Sequence, residues 1–211
     1  RTTGIVPVHV YGNACQVDEI MQVAKKNNLK VVFDGAHAFG INYKGQSVLN
    51  YGDISTLSFN AVKLFNSIEG GALIIKDDKL YEEAKTMRQY GVTTLTGEGS
   101  TPGINGKMNE LEAAAGLCVL DEMEAVQKER EESYLYYAKY LKDVVQMQRL
   151  NEDATYNYSY CPIILRYVDE MHIVQEALIA NGIKPRQYFA SSLDTLCYVD
   201  QRKPMMIYRD Y

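Results

Sequence analysis

Two residues in the first third of the chain, Asp34 and Lys63, are of the types that carbonyl chemistry requires. Lys63 lies in SFNAVKLFNSIEGGA at 58–72, just after an apolar run and before a Gly-Gly pair, with Phe59, Val62, Leu64 and Phe65 around it. An apolar surround disfavours the ammonium form of a lysine and leaves a free amine able to condense with an aldehyde. Asp34 directly follows VVF and projects from the carboxyl end of a strand. A lysine and a carboxylate over one pocket match what pyridoxal 5'-phosphate (PLP) needs. The amine attaches the cofactor, and the carboxylate keeps the pyridine nitrogen protonated so that the ring acts as an electron sink. Each residue also has an ordinary alternative: lysines among apolar residues snorkel to solvent, and an aspartate at a strand end caps the next turn.

His37 follows Asp34 closely, within reach of a cofactor's ring oxygen or of stacking near it; the alternative is a histidine satisfied by backbone groups. Ser58 ends the strand before Lys63, where a hydroxyl suits a phosphate oxygen and equally well forms a turn. Gly70 and Gly71 serve backbone geometry, and Glu69 is assigned no catalytic role.

The elements that must position these residues alternate in type. An apolar strand at 5–10, a helical stretch at 18–27 and a β-branched run at 30–33 form a strand, crossover helix, strand unit. Such units imply parallel strands with ligand sites at their carboxyl ends. Strands at 54–59 and 72–75 and a helix at 79–89 follow, which makes the fold class α/β. Residues 91–106 are rich in Gly, Thr, Ser and Pro and predict a long exposed loop. The spacing at 109–142 predicts one long helix, or two with a break near Ala125, carrying Tyr134, Tyr136, Tyr137 and Tyr140 in packing and interface roles. A strand at 160–166 and a helix at 170–181 ending at Gly182 make a small α+β unit. The expected division is a partial large domain at 1–124, then a helical connector and an incomplete small domain at 125–211.

Composition narrows the function classes. With 46% hydrophobic and 23% charged residues the chain is globular rather than disordered, and a net charge of −5 with scattered basic residues lacks a nucleic-acid binder's footprint. No apolar run approaches the roughly 20 residues that span a bilayer, and the opening RTTGIVPVHV lacks a signal peptide's blocks, so a cytoplasmic protein is expected. Cys15, Cys118, Cys161 and Cys197 show no CxxC spacing and are read as buried free thiols; three histidines leave little for a metal site, so none is expected.

The runs VPVHVYG at 6–12, DGAHAFG at 34–40, YKG at 43–45, GD at 52–53, SFNAVKLFNSIEGGA at 58–72 and GINGKMNELEAA at 103–114 resemble, in order and spacing, the DegT/StrS family of PLP-dependent sugar aminotransferases. The resemblance implies a fold-type I aminotransferase, a PLP-dependent transferase-like large domain with a mixed, mostly parallel sheet, plus a small α+β C-terminal domain. It implies a homodimer acting on nucleotide-linked keto sugars with glutamate as amino donor. Lys63 resembles the family's Schiff-base lysine and proton shuttle, and Asp34 the partner of the pyridine nitrogen. His37 looks like the residue at the ring oxygen and Ser58 like the phosphate-binding serine. Asn105 is similar to the asparagine that reaches the phosphate of the other subunit's cofactor. A sister group dehydrates sugars and has histidine in place of this lysine, so Lys63 argues against that reaction.

The departures from the family pattern are a leading and a closing segment expected to be absent, Lys107 where arginine is usual, and no proline after Tyr188 and Phe189. Two readings follow: an aminotransferase, whole or truncated, with PLP on Lys63, or a non-catalytic remnant of the fold that lacks a complete cofactor pocket and associates with a partner. A generic dinucleotide binder is disfavoured because no GxGxxG opens a helix after the first strand.

Overall fold

The computed structural model describes residues 2–92, 97–99, 101–189 and 195–196. Cys197 and the end of the RQYFASSL run lie outside them. The chain divides into two compact units, residues 1–164 and 165–211; position 124/125 falls inside a helix of the first.

The first unit is built on a four-stranded sheet in the order β1 (Gly4–Ile5), β2 (Lys30–Asp34), β5 (Ile54–Ser58) and β6 (Gly71–Ile75). β1 and β2 run parallel, with Ile5 opposite Val31. β2 and β5 are also parallel, with Asp34 opposite Thr56, and β6 is antiparallel, with Gly71 opposite Ser58. The mixed, mostly parallel sheet is as expected. Alternation along β2 decides its faces: Val31 and Phe33 are buried, while Val32 and Asp34 share the other, half-exposed face.

The expected strand at 5–10 is shorter: its ladder stops at Ile5, ahead of Pro7, which has no N–H to donate, and the chain enters a single helical turn at Val10–Gly12 with Tyr11 at φ 59°. A bridge from Val8 to Asp34 continues the pairing of β1 past its end. A hairpin of β3 (Asn42–Tyr43) and β4 (Gln46–Ser47) was not expected. Its YKG tip places Lys44 and Gly45 at positive φ, which closes a two-residue turn.

Helix α1 (Val17–Asn27) has Asp18 and Glu19 in its first turn and Lys25 and Lys26 in its last, as the helix dipole favours, and it stops where Asn28 turns left-handed at φ 50°. Its Val17 and Ala24 join Val31, Phe33, Ala38, Ile41, Tyr43 and Val48 in the core. Helix α2 (Asp78–Arg88) opens on the Asp77 carboxylate, which accepts from Leu80 N at 2.8 Å.

Helix α3 (Glu110–Leu141) begins with a capping box between Asn109 and Glu112 and runs unbroken through Ala125, since no Gly or Pro interrupts residues 117–141. Its one fully buried residue is Gly116. A Cβ there would come within 3.2 Å of Ser67 Cβ and 3.6 Å of Phe65 Cζ, so glycine lets the helix close on the loop that carries Lys63. After α3 the chain pairs β7 (Gln146–Met147) with β8 (Ile163–Ile164), a much shorter strand than the expected 160–166. In the second unit, α4 (Val168–Ala180) ends at Gly182, whose φ of 78° lets Ile183 N reach Leu178 O. Among the described residues no helix is long and apolar enough to cross a membrane.

Of the four tyrosines on α3, Tyr134 packs against Tyr156 and Tyr158, with ring centroids 5.2 and 5.5 Å away. Tyr136, Tyr137 and Tyr140 are 50–65% exposed. The thiols differ from expectation. Cys15 and Cys161 are half-buried and Cys118 is exposed, all three free.

Candidate active site

The carboxyl ends of β2 and β5 lie side by side, and each runs into a segment with a candidate residue. After β2, the DGAHAFG turn begins with Asp34. Its backbone is fixed on both sides, by Asp34 N on Pro7 O at 2.8 Å, His9 N on Asp34 O at 3.0 Å and Gly35 N on Thr56 O at 2.9 Å. Its Oδ1 accepts from Ala36 N at 2.9 Å, the turn-capping role anticipated as the alternative, and among the described residues no donor reaches Oδ2. One oxygen therefore shapes the turn and the other is available to a ligand.

After β5, residues 59–70 form the loop that carries Lys63. Phe59 N donates to Gly70 O and Ser67 N to Phe59 O, both at 2.9 Å, which closes the base. Asn60 organises the tip: its Nδ2 donates to Glu69 Oε1 at 2.7 Å, its Oδ1 accepts from Val62 N at 3.1 Å, and its carbonyl accepts from Lys63 N at 2.9 Å. Phe65 stacks on Phe39 at 4.5 Å and meets Phe59 edge-on at 4.8 Å, so the loop packs against the DGAHAFG turn. Lys63 itself is half-buried. It lines a cavity of about 570 Å³ with Asn66, Cys118, Glu122 and Arg130, walled on one side by α3.

His37 is where the two segments meet electrically. Burial lowers its proton affinity, the Lys63 charge lowers it further, and the Asp34 carboxylate pulls the other way. Both groups are thus close enough to act on the ring. Its nitrogens are both engaged within the protein: Nδ1 accepts from Tyr11 N at 3.0 Å, and Nε2 lies 3.3 Å from Tyr160 Oη. Neighbouring His9 is fully buried, stacked on Phe33 at 4.8 Å, and burial lowers its pKa to about 4 against a weaker opposing pull from Asp34.

Ser58 is half-exposed at the end of β5, and its Oγ accepts from Asn60 N at 3.4 Å, a turn-forming contact that leaves the hydroxyl proton for a ligand. Asn105 is exposed and bridged to Gln89, beyond the end of α2. Asp34, His37, Ser58 and Lys63 are grouped at the strand ends, and the neighbours of Asn105, Gly103, Ile104 and Gly106, line a cavity with Thr56, Leu57, Gly70 and Gly71. Lys107, in the same segment as Asn105, sits over the Tyr90 ring at 4.6 Å. No group of His, Cys, Asp and Glu side chains that would hold a metal occurs among the described residues.

Sequence reasoning missed Asn60, Asn157 and Tyr160. Asn60 carried a usable signal, a short amide side chain just past a strand end, where it bonds the backbone two residues on. Asn157 and Tyr160 carried none, because their partners lie about 120 positions away. Asn157 is fully buried and donates Nδ2 to both His37 O and Phe39 O at 2.9 Å, while its Oδ1 accepts from Ser159 Oγ and N. Gly12, at φ 80°, leaves room for it; any Cβ there would collide with the Asn157 amide.

The residues present fit PLP. A half-buried amine, a carboxylate with one oxygen open and a hydroxyl at a strand end are the donor set that such a cofactor requires.

Known proteins are similar to almost the whole chain. The model of the DegT/DnrJ/EryC1/StrS aminotransferase family matches residues 1–207. The dTDP-4-amino-4,6-dideoxy-D-glucose transaminase of Shigella dysenteriae is 38% identical over 192 residues, covering 90% of this chain and 51% of its own length. The protein of the same name from Escherichia coli is 36% identical over 199 residues, with 90% and 52% covered. Among solved structures, that of DesI in the presence of its TDP-sugar product superposes with a TM-score of 0.86 at 29% identity, covering 98% of this chain and 54% of that one. The chain spans about half the length of the relatives it matches.

Proposed function

The chain belongs to the DegT/DnrJ/EryC1/StrS aminotransferase family, and from that premise we propose that it serves a PLP-dependent transfer of an amino group, from glutamate, to a nucleotide-linked keto sugar. The observation that carries this reading is the convergence of Lys63 and Asp34 on His37 at the carboxyl ends of two parallel strands. When bound, PLP supplies an electron sink for breaking and making bonds at the carbon next to nitrogen.

The chain's own residues hold and serve that group. Lys63 Nζ would be the point of covalent attachment and, as a free amine, the base that takes the proton from the donor's Cα. Asp34 Oδ2 holds the proton on the pyridine nitrogen, and Ser58 Oγ–H binds a phosphate oxygen. Asn105 suits the phosphate site of a second subunit in a homodimer, where a two-fold axis brings it across. The keto-sugar class is supported by the relatives, which are named as transaminases of dTDP-linked amino sugars.

The test is to mix the purified chain with PLP, reduce with borohydride and locate the added mass by peptide mass spectrometry, with Lys63→Ala as control. Stoichiometric label on Lys63 alone is the expected result. Sparse label spread over surface lysines overturns this reading in favour of a non-catalytic remnant of the fold.

A further inference from the structure

Donor and acceptor accounting around His37 fixes more than its location. Tyr11 N can only donate, so the Nδ1 that it faces at 3.0 Å must present a lone pair. A neutral imidazole with a bare Nδ1 carries its proton on Nε2, and that N–H then donates to Tyr160 Oη, 3.3 Å away. Protonating Nδ1 instead would press one N–H against another. The ring is held in plane as well as at its nitrogens: Tyr160 packs on it at 4.7 Å, and Tyr11 stacks along it at 6.2 Å while meeting Tyr160 edge-on at 5.6 Å. Asn157 pins the backbone carbonyls of His37 and Phe39 to the segment that carries Tyr160. Among the described residues, Tyr11, Tyr160, Lys63 and Asp34 act on the ring.

We propose that Tyr160 is a positioning residue of this site: by accepting Nε2–H it holds His37 as the neutral Nε2–H tautomer, with this N–H engaged inside the protein. This inference rests on the functional reading above for what binds beside the ring, but the tautomer and its holder belong to the cofactor-free protein.

The experiment is two-bond ¹H–¹⁵N correlation spectroscopy of the full chain labelled at histidine, with His37 assigned by its loss in His37→Gln. The expected signature at neutral pH is a bare Nδ1 and a protonated Nε2. In Tyr160→Phe, which removes only the oxygen, exchange of the Nε2 proton with solvent should quicken about fivefold, the loss of one ordinary hydrogen bond, while the backbone amide spectrum away from the site is unchanged. Adding PLP to the wild type should leave the Nε2–H signal in place and shift the ring carbon protons. A wild-type Nδ1–H tautomer, an Nε2 proton indifferent to Tyr160→Phe, or an Nε2–H signal displaced by PLP would each overturn the proposal. Failure of Lys63 to take label with borohydride defeats the functional reading separately, since the tautomer is read without cofactor.

Discussion

The turn that carries Asp34 and His37 is fastened from across the chain, whereas the loop that carries Lys63 is fastened by its own neighbours. Asn157 and Tyr160 reach back about 120 positions to hold the first. Asn60, Ser67, Glu69 and Gly70, all within a few positions of Lys63, hold the second. The two arms meet through Phe39 and Phe65. The aspartate arm is tied down from a distant segment, which suits its proposed role of keeping one oxygen aimed at a ring nitrogen. The lysine arm is a half-exposed loop, which suits the proposed role of an amine that leaves its bond and returns.

That contrast breaks first at Asn157. Replacing it with alanine strands two buried carbonyls and should cost about 3 to 5 kcal/mol of stability by urea denaturation; a loss below about 1 kcal/mol would mean that the long-range lock is dispensable. The next effect comes from pH. The folded pKa of His9, about 4, lies below its ordinary value of 6.5, so the unfolded chain takes up its proton first as pH falls. Stability is then full above about pH 6.5 and declines towards pH 4, by on the order of 3 kcal/mol, and His9→Phe should flatten that slope in denaturation curves run across the window.

The lysine arm answers to smaller changes. Gly116→Val pushes α3 off Ser67 and Phe65 and should cost about 2 kcal/mol as overpacking, with a fall in the fraction of Lys63 trapped by borohydride larger than the fall in folded protein. Asn60→Ala removes bonds at a half-exposed position and should cost only about 1 kcal/mol, while Lys63 amide hydrogen exchange quickens. If Asn60→Ala proved as damaging as Asn157→Ala, the distinction between the arms would fall.

The same contrast explains what could be read in advance. β2, β5, α1, α2 and α3 announce themselves because their signals are periodic and local: Val31 and Phe33 alternate, Val17 and Ala24 recur at helical spacing, and Asn109 and Glu112 form a cap. The expected break near Ala125 fails because nothing in the sequence there interrupts a helix. The strand expected from Tyr160 onwards shrinks to Ile163–Ile164 because Asn157, Ser159 and Tyr160 spend their bonds on each other and on His37, not on a neighbouring strand. Lys63, Asp34, His37 and Ser58 were legible as residue types at strand ends. That His37 would have both nitrogens occupied was not, since its partners are a backbone amide and a phenol brought in by tertiary structure.

The closure of the lysine loop at Phe59 and Gly70 extends the β5–β6 ladder, so Lys63 rides on what is in effect a long-looped hairpin. Hairpins close in roughly 1–10 μs because their arms are neighbours, while contacts spanning a hundred residues wait on a far larger loss of chain entropy. During folding the loop of Lys63 is therefore expected to take shape early, and the Asn157 lock to close late. High φ-values at Leu57 with low ones at Asn157 would be the kinetic mark of that order, and the reverse would contradict it.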